Sequence, residues 1–331
     1  MELRRFGDTG LTVSRIGLGM AALGRPGYIN LGHSDDLIHD YDVDEMERRA
    51  HGVLDAAWNA GIRYFDAARS YGLGERFLGA WLTSRAVPPE SVTVGSKWGY
   101  TYTADWKIEA KAHEVKEHSL ATLERQWPES RALLDSYLNI YQIHSATFES
   151  GVLENRPVLQ NLAQLKSEGI RIGLTLSGPS QGEILRRAME IEIDGSRLFD
   201  SVQATWNPLE PSAGSALAEA HAAGIGVIIK EALANGRLTD RNQEPDFASK
   251  LGILRTESQN LGTSTDALVL AACLSQHFAD IVLSGAANTE QVLSNVQACR
   301  LQLDQAIPAR LLSLAEPPSV YWAARSKLAW N

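Results

Sequence analysis

The sequence has few features of a secreted or membrane-bound protein. Its two cysteines, Cys273 and Cys299, are too few for a disulfide framework, and neither lies in a Cys-x-x-Cys or Cys/His cluster. No stretch approaches the roughly 18 apolar residues that a transmembrane helix needs. The N-terminus also lacks the apolar core of a signal peptide. We therefore expect a cytoplasmic protein that has no membrane partner.

Positive charge is also scarce. The chain has 31 lysines and arginines against 40 aspartates and glutamates, which gives a formal net charge of −9. Because a broad nucleic-acid interface needs a basic face, no nucleic-acid partner is expected, although a local basic pocket for one phosphate is compatible with this charge. The eight histidines are scattered without the spacing of a metal site, so no metal is expected. These absences favour an ordinary globular enzyme that binds a small molecule.

Short apolar runs alternate with longer stretches of helical period along the whole chain. Each run is about five residues long and rich in valine, isoleucine and leucine, which is typical of strands buried on both faces of a parallel sheet. The first run is the weakest prediction because it contains glycines. The eight predicted strands are residues 16–22, 62–66, 92–96, 138–143, 172–176, 201–205, 226–229 and 281–284.

Helices are predicted between these strands, and two have capping signals at their start. Asp44 with Glu47 and Asn288 with Gln291 each have the spacing of a capping box. Eight strands alternating with helices, without a linker, predict a single α/β domain over residues 1–331, a (β/α)8 TIM barrel. A doubly wound open sheet is the alternative.

Two segments outside this alternation are expected to be functional or docked. Residues 24–41 are polar and rich in glycine, and a loop of this length is uncommon unless it has a function. The tail from Pro317 onward has more aromatic residues than a disordered tail needs. We expect the tail to dock over the mouth of the barrel. His113 and His118, in contrast, are expected at exposed helical positions.

Polar side chains stand at the carboxyl ends of three predicted strands, where parallel barrels carry their reactive groups. Asp66 ends the second strand, Lys97 follows the third and His144 follows the fourth, while Tyr71 lies five residues after Asp66. Each alone has an ordinary explanation, such as a helix cap or a packed aromatic ring. Lys97 is the hardest to explain in this way, because a buried ammonium is costly without a partner. Together they predict an active site.

These four residues suit proton transfer to a carbonyl oxygen while a hydride arrives at the carbonyl carbon. A free phenol has a pKa of about 10, which is high for a proton donor near neutrality. A neighbouring ammonium lowers that pKa, and a carboxylate keeps the ammonium charged. We therefore expect Tyr71 to be the general acid, with Lys97 lowering its pKa. Asp66 would anchor Lys97, and His144 would orient the substrate.

The same residues resemble the catalytic tetrad of the aldo-keto reductase superfamily. The matching segments are GIRYFDAARSYG at 61–72, VGSK at 94–97 and LNIYQIH at 138–144, and RFGDTGLTVSRIGLG at 5–19 resembles the first hairpin and strand of that family. The similarity extends from about residue 3 to residue 299. It implies a barrel with an N-terminal hairpin, and an oxidoreductase that uses NADP or NAD to interconvert a carbonyl and an alcohol.

The resemblance also implies where the nicotinamide would bind, with two departures from the family pattern. Ser177 and Gln203 match the residues that hold the carboxamide, but Gly178 stands where asparagine is usual. Lys230 replaces the aromatic residue that usually stacks on the nicotinamide. It is expected to reach a phosphate or to pair with Glu231, the alternative being a solvated loop pair. The other residues implied on this side of the cofactor are Gly19, Met20, Leu233 and Gly236.

At the adenosine end, the resemblance implies a phosphate-binding loop and helix in SGAANTEQVLSN, residues 284–295. A helix N-terminus suits an anion. Members that use NADP normally have a basic residue where Gln291 stands, and none occurs between residues 284 and 298. Since a 2′-phosphate is best met by arginine, NADP is implied only as the family default, and NAD or dual use stays open. The implied contacts are Ser284, Gly285, Gln291 and Asn295.

The substrate pocket is expected to have aromatic walls, because Trp98, Tyr100 and Trp206 all follow predicted strands. Two other functions stay open. Lys97 would be the nucleophile of a Schiff-base lyase, although the partner Asp66 would hold it protonated. A cofactor-binding redox sensor or regulatory subunit with little turnover would use the same fold. The substrate itself, the reaction direction and the oligomeric state are not defined by the sequence.

Overall fold

The computed structural model describes residues 1–304 and 306–331, and a closed barrel of eight parallel strands lies at its centre. The strands pair in chain order, and the eighth returns to the first through the pairs Val282–Ile16 and Ser284–Leu18. This closure confirms the predicted barrel and excludes the open sheet. The barrel strands are Ile16–Gly19, Tyr64–Asp66, Thr93–Trp98, Leu138–Ala146, Arg171–Leu176, Ser201–Thr205, Gly226–Lys230 and Ile281–Ser284.

All eight predicted strands are present, and the observed bounds differ from the predicted ones mainly at the strand ends. The first strand ends at Gly19 rather than at residue 22, and the fourth continues to Ala146. All six residues of Thr93–Trp98 are buried, as are all five of Ser201–Thr205. Burial on both faces explains why these strands show no alternation between buried and exposed residues.

Helices follow the strands and cover the outside of the barrel. The capping box predicted at Asp44 is wrong, because the helix begins earlier, with the Asp42 carboxylate accepting from the Asp44 amide at 3.1 Å. The predicted cap at Asn288 is confirmed by its bond from the Gln291 amide at 2.9 Å. No helix in the described ranges is long and apolar enough to cross a membrane. The helices are His33–Asp36, Val43–Asn59, Gly74–Ser84, Leu120–Leu134, Arg156–Ser167, Gln181–Met189, Gly214–Ala222, Ala248–Asn260, Thr265–Leu274, Thr289–Asn295, Ala306–Leu312 and Pro318–Ser326.

A hairpin of Leu3–Arg5 and Thr12–Ser14 confirms the implied N-terminal hairpin and lies at the amino-terminal end of the barrel. Phe6 belongs to a small buried cluster with strand residues such as Ile140. A Cβ atom on Gly226 would lie 2.5 Å from the Phe6 ring, so only glycine fits at this strand start. This cluster plugs one end of the barrel and leaves the carboxyl end for a ligand.

The carboxyl end is covered by the two segments that the sequence singled out. Residues 24–41 form an irregular loop that contains the short helix His33–Asp36. The C-terminal tail docks, as expected: Tyr321 is buried, and its hydroxyl accepts from Asn207 at 3.1 Å. The last residue, Asn331, pairs with Tyr28 of the loop through their backbones, with N–O distances of 3.1 and 3.2 Å. The loop and the tail therefore hold each other over the mouth.

Candidate active site

Asp66, Lys97 and Tyr71 meet at the carboxyl end of the barrel. The parallel register pairs Asp66 with Gly95, and Lys97 lies two residues further along, so it points to the same side of its strand as Gly95 does. The Lys97 ammonium donates to the Asp66 carboxylate and to the Ala67 carbonyl oxygen, the latter at 2.8 Å. Its third contact is the Tyr71 phenol oxygen, at 3.3 Å. All three ammonium protons therefore have acceptors.

The backbone around Tyr71 is fixed by close contact with the loop that follows the first strand. The Leu73 amide donates to the Gly24 carbonyl oxygen at 2.7 Å. A Cβ atom on Gly24 would lie 2.3 Å from the Tyr71 carbonyl oxygen, so the two chains approach this closely only because residue 24 is glycine. This contact sets the position of the phenol relative to Lys97.

His144 completes the group of four predicted catalytic residues. Its ring stands edge-on to the Tyr71 ring, with 5.7 Å between the centroids. Its Nδ1 lies 3.5 Å from the Ser70 hydroxyl, and its carbonyl oxygen accepts from His118 at 2.8 Å. His118 is thus a buried residue beside the site rather than an exposed helical one. His113 is also outside any helix and stacks on Trp330, so both histidine expectations are wrong.

The pKa of Tyr71 departs from its ordinary value in the direction opposite to that expected. Burial, followed by the negative charge of Asp66, raises the pKa of the phenol well above 10, and Arg25 offsets only part of this. Burial also lowers the pKa of Lys97, with Asp66 opposing the shift. Burial and the positive charge of Lys97 lower the pKa of His144 well below 6.5. The phenol is therefore protonated and the imidazole neutral near pH 7.

A cleft of about 790 Å³ runs from Tyr71 and His144 across the strand ends. Met20 is the single implied cofactor residue that does not line it, because its side chain is fully buried in the core while its amide donates to the Asp66 carbonyl oxygen at 2.8 Å. The implied residues that do line the cleft are Gly19, Ser177, Gln203, Lys230, Glu231, Leu233, Gly236, Ser284, Gly285, Gln291 and Asn295.

Comparison with known proteins agrees with this geometry. Residues 15–316 match the sequence model of the aldo/keto reductase family. The chain belongs to this family. Its members are oxidoreductases that act on carbonyl and alcohol substrates, and nicotinamide cofactors are the family norm.

Relatives and solved structures of aldo-keto reductases are similar over nearly the whole chain. L-galactose dehydrogenase of Arabidopsis thaliana is 27% identical, covering 96% of this chain and 95% of its own. Pyridoxal 4-dehydrogenase of Microbacterium luteolum is 25% identical, covering 93% and 94%. The holo structure of an aldo-keto reductase from Bacillus halodurans superposes with a TM-score of 0.73 at 23% identity, covering 96% and 97%, which supports the fold.

In this aldo-keto reductase, Lys230 and Glu231 form a partly buried charged cluster with Arg325 of the C-terminal helix. The Lys230 ammonium donates to the Thr205 hydroxyl at 2.9 Å and lies 3.7 Å from the Glu231 carboxylate, to which Arg325 Nε donates at 3.0 Å. Burial lowers the pKa of Lys230 to about 8. Burial opposes ionisation of Glu231, but the charges of Arg325 and Lys230 lower its pKa to about 2. Pairing with Glu231 is confirmed, and a solvated loop pair is excluded.

Of the three aromatic residues predicted to form walls, the structure places only Tyr100 on the cleft. Trp98 is fully buried and does not line the cleft, because neighbouring residues of a strand alternate in direction and Lys97 occupies the barrel interior. Trp206 is also buried, in edge-on contact with Phe278 at 5.8 Å between centroids. Tyr28 and Trp330 line the cleft instead; the sequence singled out their segments, residues 24–41 and the C-terminal tail, but not these two side chains.

Arg25 is a further cleft residue, and the sequence alone did not predict it. Its guanidinium is buried and donates to the Ser70 carbonyl oxygen at 2.9 Å and to the Glu114 carboxylate at 3.0 Å. It also lies 5.2 Å from the ring centre of Tyr28 and 4.7 Å from that of Trp330. The polar composition of residues 24–41 was the available signal, but its partners lie far away in sequence.

Proposed function

We propose that this aldo-keto reductase transfers a hydride between a nicotinamide cofactor and a carbonyl or alcohol substrate, with Tyr71 as general acid and base. The proposal rests on the position of the Tyr71 phenol, which lies 3.3 Å from the Lys97 ammonium at one end of a long cleft. The cleft volume of about 790 Å³ falls within the range of about 300–1,000 Å³ that is usual for ligand sites.

The contacts around Tyr71 support a role in moving a proton. Its oxygen accepts from Lys97, which leaves its own O–H free to donate to a carbonyl oxygen. When the proton leaves, negative charge develops next to the ammonium, which stabilises the phenolate. A bound nicotinamide would supply or accept the hydride at the carbonyl carbon. The neutral His144 would donate a hydrogen bond to the same carbonyl oxygen and hold it within reach of Tyr71.

The residues that line the cleft fit a nicotinamide next to this group. Gln203 donates to the Asp66 carboxylate at 2.9 Å, which fixes the side chain and leaves its amide oxygen for a carboxamide. The Ser177 hydroxyl lies 3.1 Å from Ser145 at the same end of the cleft. Asn235, further along, has a buried amide oxygen without a hydrogen-bond partner in the described ranges, and this oxygen is suited to a ligand hydroxyl or amide.

The contacts of Lys97 argue against a Schiff-base lyase. Its side chain has no exposed surface, and its ammonium donates to a carboxylate, a carbonyl and a phenol. A nucleophilic amine needs a free lone pair, which this geometry withholds. Borohydride treatment in the presence of a carbonyl substrate should therefore leave Lys97 unlabelled.

We further propose a small, polar, hydroxylated substrate. The wall opposite the strand ends combines the charged pair of Arg25 and Glu114 with the aromatic faces of Tyr28 and Trp330. Such a wall offers several hydrogen-bond donors and acceptors next to flat apolar surfaces. The names of the relatives, a galactose and a pyridoxal dehydrogenase, are consistent with this chemistry. A screen of sugars, aromatic aldehydes and aliphatic ketones against both nicotinamide cofactors tests it, and activity on apolar ketones alone would contradict it.

The raised pKa of Tyr71 predicts the pH dependence of the reaction. Reduction needs the protonated phenol, so kcat/KM for reduction should stay flat from about pH 7 to about pH 9, because an ordinary phenol already titrates only near 10. Oxidation needs the phenolate, so kcat/KM for oxidation should rise with pH over the same range. A fall in the reduction rate with an apparent pKa near 7 would assign the proton to another group.

A further inference from the structure

We infer that this reductase binds NAD(H) in preference to NADP(H) and that Asp36 determines this choice. The inference rests on the proposed function, because it concerns the cofactor of the same cleft. Chemistry takes place at the end with Tyr71 and His144, so the opposite end of the cleft has to receive the adenosine half of an extended dinucleotide. That end is formed by Asp36, Arg241 and the segment from Ser284 to Asn295.

The far end of the cleft is rich in carboxylates. Four acidic residues line it: Asp36, Asp240, Asp266 and Glu290. Among the described residues that line this end, only Arg241 is basic. The end that receives the adenosine ribose is therefore acidic.

Arg241 is already engaged by Asp36. Its Nη1 and Nη2 donate to Asp36 Oδ2 and Oδ1, both at 2.6 Å, which is a bidentate ion pair. Asn288 and Gln291 donate to Asp36 Oδ1 at 3.0 and 2.7 Å. The Asp36 side chain is only 7% exposed, whereas Arg241 is 41% exposed. The buried carboxylate thus holds the arginine that would otherwise be free for a phosphate.

The two carboxylate oxygens of Asp36 accept different numbers of hydrogen bonds. Among the described residues, Oδ1 accepts from Arg241, Asn288 and Gln291, whereas Oδ2 accepts from Arg241 alone. A carboxylate oxygen accepts about two hydrogen bonds, so Oδ2 keeps room for one more donor. A ribose hydroxyl is a donor of this kind, and in dinucleotide sites a carboxylate on the ribose 2′-hydroxyl is the usual arrangement for NAD.

A 2′-phosphate, unlike a ribose hydroxyl, would interact unfavourably with Asp36. It carries a charge of about −1.5 to −2 near neutrality, so the Asp36 carboxylate would repel it rather than accept a hydrogen bond from a hydroxyl. To bind it, Arg241 would have to leave Asp36, and the buried carboxylate would then lose its charge partner, which is strongly unfavourable. The Asp266 carboxylate adds further repulsion at the same end. The separation of Arg241 from Asp36 and the repulsion by a neighbouring carboxylate both disfavour NADP(H) relative to NAD(H).

Equilibrium binding tests the inference without an activity assay. The purified protein is titrated with NADH and with NADPH, and the Kd of each is obtained from the quenching of tryptophan fluorescence. We expect NADH to bind at least about tenfold more tightly, which corresponds to about 1.4 kcal/mol. If NADPH binds as tightly as NADH or more tightly, the inference is wrong and the proposed function stands. If neither binds, the proposed function itself fails.

Two variants assign the effect to Asp36. Asp36→Asn should release Arg241 and raise the affinity for NADPH by about tenfold relative to that for NADH. The matched control is Asp35→Asn in the same short helix, whose side chain is 81% exposed and pairs with His39 outside the cleft, so the ratio of the two Kd values should not change. An unchanged ratio in a folded Asp36→Asn protein would overturn the role of Asp36. The wild-type ratio decides the preference even if that variant does not fold.

Discussion

Replacing Tyr71 by phenylalanine should lower kcat for carbonyl reduction by about 10²- to 10⁴-fold, the range that positioned proton transfer contributes in enzymes. The phenol is the group next to Lys97 whose O–H is free to donate, and phenylalanine removes that proton without changing the ring. The affinity for the nicotinamide cofactor should change little, because the ring keeps its packing beside His144. Steady-state kinetics together with cofactor titration separate the two effects.

Tyr137→Phe is a suitable control for this experiment. It removes another phenol hydroxyl, one that donates to the Val87 carbonyl oxygen at 2.7 Å away from the cleft, and Tyr137 does not line the cleft. Its kcat should match that of the unmodified enzyme. Carbonyl reduction that persists at full rate in Tyr71→Phe would show that Tyr71 is not the general acid, and the proposed mechanism would fail.

Replacing Asp66 by asparagine should reduce both stability and activity. The Asp66 carboxylate and the Lys97 ammonium are 2% and 0% exposed, so the amide leaves an ammonium buried without its charge partner. Breaking a buried ion pair in this way costs about 3–5 kcal/mol. The free energy of unfolding in urea should fall by about this amount, and kcat should fall as well because Lys97 loses the contact that holds it next to Tyr71.

A double variant distinguishes loss of the charge partner from general disruption. Asp66→Asn combined with Lys97→Met removes the unpaired charge, and apolar replacement of a buried pair is often close to neutral for stability. The double variant should therefore recover much of the lost stability while staying inactive. If Asp66→Asn alone were as stable as the original protein, the ion pair would carry little of the stability of this end of the barrel.

The barrel was predictable from the sequence because strands buried on both faces leave a local signature. Ser201–Thr205 and Ile281–Ser284 have the predicted bounds, and the other strands differ mainly at their ends. The ends were harder to predict because backbone pairing with a neighbouring strand decides where a strand stops. The helix at Val43–Asn59 likewise begins before the predicted cap, since Asp42 rather than Asp44 accepts the free amides.

The sequence also placed the three strand-end residues of the candidate site, Asp66, Lys97 and His144, because position along a strand is a local property. The prediction that Trp98 lines the pocket was wrong because successive residues of a strand point in opposite directions. Lys97 points into the barrel, so Trp98 must face the surrounding helices. The implied contact of Met20 with the cofactor was wrong because the chain turns into the core directly after the first strand. These two errors concern side-chain direction rather than strand position.

The sequence by itself therefore determined the barrel, the family resemblance and the residues at the strand ends, all of which depend on neighbours in the chain. Only the tertiary structure decided what surrounds them. Burial reverses the expected shift in the pKa of Tyr71, and the contact of Asp36 with Arg241 joins residues that are 205 positions apart. Burial and long-range ion pairs depend on how distant segments pack, and no local pattern encodes that packing.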